Sequence, residues 1–162
     1  MPLIAHSPLL TTANRKPAAL LEAPTVRHGS SGDLAGIADL FREQLDREPS
    51  LRLIEEALES FPSAVAVSEG YVTGFAYCGY MAPDLVELMN ITVHAGCRST
   101  GVGTAMLKLV EGLLVPEAKA VMLTNSTLYS DGKRPATNFY LRNGYALVAS
   151  TGSTNMFWKD LT

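Results

Sequence analysis

Residues 97–106 of the chain read CRSTGVGTAM, and they lie between a strand-like run, LVELMNITV (85–93), and a helix-like run that opens at Gly101. A strand, a glycine turn and a helix start together make an anion site. The first N–H groups of a helix lack intrahelical acceptors, and Gly101 and Gly103 let an anion approach them with no Cβ in the way. The helix dipole adds roughly 0.3–1 kcal/mol, and Arg98 adds a permanent cation. The two best-known phosphate turns do not fit. Gly96-x-x-x-x-Gly101 is followed by Val102-Gly103 where a P-loop has Lys and Ser or Thr. Met106 stands where a dinucleotide fingerprint has a third Gly or Ala. With no ligand, the same residues are a plain tight turn.

Other residues around the turn have chemistry of their own. Glu87 is the sole ionisable side chain within the run 85–93, and strict alternation sets it on the face of Met89, Ile91 and Val93. Partial burial there would suit it to take a proton; the alternatives are a solvated carboxylate near Asp84, or one paired to an arginine. Cys97 abuts Arg98 and a helix start, a setting that lowers a thiol pKa and favours oxidation over catalysis. His94 reads as a strand-end surface residue.

The elements that must position these residues follow from periodicity. TVRHG (25–29) is a short strand, and Ser30-x-x-Asp33 is a capping-box-like start for a helix with Leu34, Ile37, Ala38, Phe41 and Leu45 on one face. A second helix has Leu51, Ile54, Leu58 and Phe61 on one side and stops at Pro62. Two β-runs from 63 to 81 flank the turn Glu69-Gly70 as a hairpin. The helix from Gly101 carries Val102, Ala105, Met106, Leu109, Val110 and Leu113 at helical spacing. AVMLT (120–124) is a continuous apolar run, as in a strand covered on both faces. A polar loop, a short helix closed by Gly144, and two last strands complete the order β-α-α-β-β-β-α-β-α-β-β. The fold class expected is α/β (α+β): a mixed, mostly antiparallel sheet of six to seven strands flanked by about four helices.

Composition narrows the partners. The chain has 162 residues, 47 % of them hydrophobic and 18 % charged, with a formal net charge of −3. That suits one globular domain over residues 25–162 and argues against nucleic acid as a partner. Residues 1–24 contain four prolines and read as an extended arm, with no basic segment ahead of an apolar stretch. No apolar run approaches the about 20 residues of a membrane helix, so no membrane partner is expected. The two cysteines, Cys78 and Cys97, fit a reducing, cytoplasmic setting. The three histidines lack metal-ligand spacing, so no metal is expected.

The longer stretch VELMNITVHAGCRSTGVGTAMLKLVEGLL, with NFYLRNGY about forty residues later, resembles the GNAT superfamily of acyl-CoA-dependent N-acetyltransferases. Arg98-x-x-Gly101-x-Gly103 is similar to the family's [Q/R]-x-x-G-x-[G/A] turn, and Phe139-Tyr140-x-x-x-Gly144-Tyr145 to its [F/L]-Y-x-x-x-G-[F/Y] element. The element order from about residue 25 onward fits as well. The resemblance implies acetyl-CoA as co-substrate, its pyrophosphate held by Arg98, Ser99, Thr100, Gly101, Val102, Gly103 and Thr104. It implies that the strand end Ile91, Thr92 and Val93 supplies main-chain contacts, with the Val93 N–H as the first choice of oxyanion donor. Tyr140 would serve the leaving thiolate, and Glu87 the amine proton. The chain departs from the family pattern at Ala95, at Ser99 and at Lys133, where many members have Asn; Asn125 or Asn138 would then make that pantetheine contact.

Acyl transfer to an amine is demanding at neutral pH. An amine of pKa about 10.4 is only ~10⁻³ deprotonated there, a handicap near 4–5 kcal/mol. The thioester oxygen needs a preplaced donor and the thiolate a proton. The expectation is therefore direct acetyl transfer from acetyl-CoA to a primary amine of a small molecule or peptide, in a ternary complex. Tyr129 and Asp131 on the polar loop read first as a solvated loop tip, with contact to the acceptor as the alternative. A non-catalytic acyl-CoA-binding module is the alternative, and a domain with an idle turn the third possibility. Homodimers are common in the family.

Overall fold

The structure is a computed structural model that describes residues 23–45, 47–126 and 136–162. The proline-rich arm up to residue 22, and Tyr129, Asp131 and Lys133 of the polar loop, lie outside the described residues. Seven strands and four α-helices alternate in the expected order: β1 (Thr25–His28), α1 (Leu34–Leu45), α2 (Leu51–Ser60), β2 (Ser63–Ser68), β3 (Tyr71–Ala82), β4 (Leu85–Val93), α3 (Val102–Gly112), β5 (Ala120–Ser126), α4 (Thr137–Arg142), β6 (Ala146–Ser150) and β7 (Thr154–Asp160). They form one sheet in the order β1-β2-β3-β4-β5-β7-β6. Every neighbouring pair is antiparallel except β4 and β5. Among the described residues no helix is long and apolar enough to cross a membrane.

Local chemistry sets the ends of these elements. Ser30 and Asp33 close the capping box ahead of α1, and Arg27 of β1 grips both oxygens of the Asp33 carboxylate at 2.8 and 2.9 Å. The guanidinium, helped by the Ser30 hydrogen bonds, holds that carboxyl below its ordinary pKa despite burial. Ser50 caps α2, and Phe61, as the residue before Pro62, takes the extended conformation that ends it. Glu69 (φ 50°) and Gly70 (φ 80°) both lie in the left-handed region, as a two-residue type I′ hairpin turn requires.

Two apolar clusters sandwich the sheet. Helices α1 and α2 bury Ile37, Leu40, Phe41, Ile54, Ala57 and Leu58 against Val65 and Phe75 on one face. On the other, α3 buries Val102, Met106, Leu107 and Val110 against Ala66, Ala76, Leu88, Val121 and Phe157. Leu51, expected on the inner side of α2, is exposed, as is Ala105 on α3. One expectation fails in an informative way. The run 120–124 is covered along one face, where Val121 and Leu123 are buried, while the other face opens from buried Ala120 through partly open Met122 to exposed Thr124.

Candidate active site

Strands β4 and β5 run parallel but pair over only three rows: Leu85–Ala120, Val86–Val121 and Glu87–Met122. Beyond Glu87 they part. β4 continues to Val93 on β3, and β5 continues to Ser126 on β7. A gap therefore opens in the middle of the sheet with its apex at Glu87.

The hydrogen-bond phase of β4 decides what lines that gap. His94 N–H donates to Thr73 O at 2.8 Å, so Thr73 and His94 are a hydrogen-bonded pair. Antiparallel ladders alternate, which makes Phe75–Thr92 the next such pair. Gly74–Val93 and Ala76–Ile91 are then the non-hydrogen-bonded pairs. The N–H and C=O groups of Ile91 and Val93 consequently point away from β3, into the gap, whereas those of Thr92 are spent on β3. Arg98 Nε donates to the Val93 carbonyl at 3.3 Å.

The turn follows directly. A short 3-10 segment, Ala95–Cys97, leads to Ser99 (φ 63°) and Gly101 (φ 86°), both left-handed. Gly101 is the N-cap of α3, with open space where a Cβ would stand, and its carbonyl takes the first helical bond, from Ala105 N–H at 3.0 Å. The N–H groups of Val102, Gly103 and Thr104 precede that bond and have no helical acceptor. Gly103 has a reason the sequence does not reveal: a Cβ there would lie 3.1 Å from Phe139 Cε2, so its bareness serves packing against α4. The Thr100 hydroxyl donates back to the Cys97 carbonyl and tightens the turn.

A residue that the motifs do not mark also fastens the turn. Gln44 Oε1, on α1, accepts from Ala95 N–H at 3.0 Å and stands 3.5 Å from Arg98 Nη2. Fifty residues of intervening chain hide this contact from local pattern. His94 is not at the surface; it is 4 % exposed. Its Nδ1 accepts from Gly96 N–H at 3.0 Å, which leaves the ring proton on Nε2, 3.4 Å from Glu43 Oε2 but not aligned as a hydrogen bond. Cys97 is only 2 % exposed, and burial pushes its thiol pKa up, not down, partly offset by a hydrogen bond with Thr73. It is a core residue.

Glu87 is partly buried at the apex, but not on the face that strict alternation gives it. β4 carries a bulge: Leu88 pairs with Cys78, and Asn90 with Tyr77, leaving Met89 extra. Cross-strand partners share a face, so Glu87, opposite Gly79, sides with Tyr77 and Phe75 under α1 and α2. Ile91 and Val93, opposite Ala76 and Gly74, turn toward α3. Met89 stays with Glu87, its Sδ 3.5 Å from where a Gly79 Cβ would be.

Tyr140 is 7 % exposed, its ring 5.2 Å from that of Phe139 and 5.1 Å from that of Phe157. Burial pushes its hydroxyl up to about 12, so it keeps its proton. The neighbouring Tyr145 does not compete for the same role, since its hydroxyl donates to Glu111 Oε1 at 2.8 Å while Lys159 Nζ holds Oε2 at 2.8 Å. Asn125 sits partly buried on β5, the second wall of the gap, and Asn138 is exposed on α4. A depression of about 350 Å³ runs from Thr104 along α3 to the end of α4, with Lys108 and Arg142 on its walls.

The site is thus a sheet parted between two parallel central strands, with an amide-lined turn at the open end. The family model described as Acetyltransferase (GNAT) domain matches residues 60–147. The chain belongs to this acetyltransferase family. Among solved structures it is similar to Ard1 from Thermoplasma volcanium, at 22 % identity and a TM-score of 0.69, covering 87 % of this chain and 99 % of that one. It is also similar to the PaiA N-acetyltransferase from Thermoplasma acidophilum, solved in complex with coenzyme A, at 16 % identity and a TM-score of 0.72, covering 86 % and 99 %. A third is the ribosomal-protein-S18-alanine N-acetyltransferase from Escherichia coli, at 15 % identity and a TM-score of 0.69, covering 86 % and 94 %. A search of curated proteins gives no match to the sequence.

Proposed function

We propose that the protein transfers the acetyl group of acetyl-CoA to a primary amine by direct attack in a ternary complex. The observation that carries this reading is the gap beyond Glu87, with the N–H groups of Ile91 and Val93 aimed into it and the turn at its open end. The pyrophosphate of coenzyme A binds the amides of residues 101–104, with Arg98 beside it. The PaiA neighbour, solved with coenzyme A, supports the same ligand class.

Each step then has a residue. The pantetheine arm lies in the gap, flanked by Asn125, and the thioester oxygen accepts a hydrogen bond from β4. Ile91 is the better-placed donor, since it stands nearer to Glu87 along β4. With the bulge, Glu87 and Ile91 are about three residue rises apart, roughly 10 Å. The glutamate side chain, one water and the amine span that distance. Glu87 takes the amine proton through the water, the new N–C bond forms as the C–S bond breaks, and Tyr140 donates to the departing thiolate.

Calorimetric titration with acetyl-CoA tests the cofactor. Thr104 lies in the first turn of α3, where an aspartate favours the helix but repels a bound phosphate. Micromolar binding to the wild type, lost in Thr104→Asp with an unchanged melting temperature, is the expected result. No binding to the wild type would overturn the reading. Binding without thiol release for any amine would make the protein an acyl-CoA-binding module.

A further inference from the structure

Glu87 belongs to a row that the sheet register carries across four strands: Gly79 on β3, Glu87 on β4, Met122 on β5 and Trp158 on β7. Directly opposed residues share a face, and adjacent strands lie about 4.8 Å apart. The Met122 thioether therefore neighbours the Glu87 carboxylate, and the Trp158 indole lies one strand further on. Met89, 49 % exposed, leans over Gly79 on the carboxylate's other side. Met156, two residues before Trp158, extends the same face. Helices α1 and α2 pack on β2 and β3, and α3 and α4 on the opposite face, so no described helix covers this half. Met89 and Met122 flank the Glu87 carboxylate at the apex of the gap, and Trp158 and Met156 continue the same partly open face outward.

Part of the polar capacity of this floor is already used. The Trp158 indole N–H donates to Asp160 Oδ1 at 2.9 Å, and Thr92 Oγ1 donates to Asn90 Oδ1 at 3.1 Å. The largest side chains next to the Glu87 carboxylate on this face, Met89, Met122 and Trp158, are apolar and polarisable. We propose that this face is the acceptor subsite and that it takes a monoamine carried on an apolar alkyl or aryl body, its nitrogen toward Glu87 and its body on Met89, Met122 and Trp158. The inference rests on the acetyl-transfer reading above. Glu56 on α2 reinforces the charge at the amine end, since it and Glu87 both act on the Tyr77 hydroxyl. Methionine side chains reshape easily, which suits bodies of varied outline. An amino sugar needs many hydrogen-bond partners and a peptide needs partners for its backbone; methionine and indole surfaces offer few.

Thiol release from acetyl-CoA, measured on the full chain, compares phenethylamine with ethanolamine, an aminoglycoside and a short peptide with a free N-terminus. The wild type is expected to favour phenethylamine over each of the others by at least about 10-fold in kcat/KM. Trp158→Ala should remove most of that preference by raising KM for phenethylamine while kcat and calorimetric acetyl-CoA affinity hold, and Trp158→Phe should restore it. Preference for the polar amine, the amino sugar or the peptide overturns this inference and leaves acetyl transfer standing. So does a dimer in sedimentation that quenches Trp158 fluorescence, because a second copy would then cover the face. Acetyl-CoA binding with no thiol release from any amine overturns acetyl transfer and this inference with it.

Discussion

At the scale of single residues, the proposed acid is the side chain whose environment is best defined. Tyr140 is enclosed by Phe139, Tyr145 and Phe157, and desolvation raises its pKa to about 12. A raised tyrosine pKa keeps the neutral, donating form, so Tyr140 should add no basic limb to the pH–rate profile between pH 6 and 10. Tyr140→Phe keeps the packed ring and removes only the donor. It should lower kcat by roughly 10²-fold or more with little change in melting temperature or KM for acetyl-CoA. Unchanged kcat would take Tyr140 out of the mechanism. Glu87 and Tyr140 could be singled out from sequence as candidates, but the side of the sheet on which Glu87 stands could not. A two-residue period assumes an unbroken ladder, and the extra residue at Met89 reverses the face of everything beyond it. The same limit applies to Cys97 and His94. Local neighbours suggested a reactive thiol and a surface imidazole; burial makes both structural.

At the scale of elements, the sequence was a good guide wherever local chemistry dictates the outcome. The capping box at Ser30, the stop before Pro62, the Glu69-Gly70 hairpin and the Gly144 helix end all stand as their residues specify. Pairing between distant strands was not legible, and neither was the contact of Gln44 with the turn, because both depend on residues brought together across the chain. The coverage of β5 went wrong for the same reason: a fully apolar run fits a doubly covered strand, yet Met122 faces open sheet. The α3–α4 depression gives the elements a test. Thr104, Lys108 and Glu111 share one side of α3, and Glu111 is already held by Tyr145 and Lys159. Lys108 and Arg142 are exposed at the walls, within reach of an anion beyond the pyrophosphate. A Lys108→Ala/Arg142→Ala double variant should weaken coenzyme A by about 10-fold and dephospho-coenzyme A hardly at all, in calorimetry at low salt. Equal losses for both ligands would place the 3′-phosphate elsewhere.

At the scale of the whole molecule, the fold is two half-sheets joined along three residue rows and splinted by α3. One half comprises β1 to β4, the other β5, β7 and β6, and among the described residues the join at 85–87 and 120–122 is all the direct pairing between them. The Glu111–Lys159 ion pair and the Tyr145 hydroxyl tie α3 to the second half, while Met106 sits under Gly74 in the first. Such an arrangement keeps a gap open in the centre of an otherwise continuous sheet, where main-chain groups would ordinarily be paired. The free protein must then leave the Ile91 and Val93 amides to water, while Thr92 between them is locked to Phe75. Hydrogen exchange resolved by residue should show that alternation directly: fast at Ile91 and Val93, slow at Thr92, despite all three lying in one central strand. Acetyl-CoA should slow exchange at Ile91 or Val93 and across residues 101–104, and leave Thr92 unchanged. Uniform slow exchange along 91–93 in the free protein would mean that the gap is closed in solution, and the oxyanion donor would have to be sought on another element.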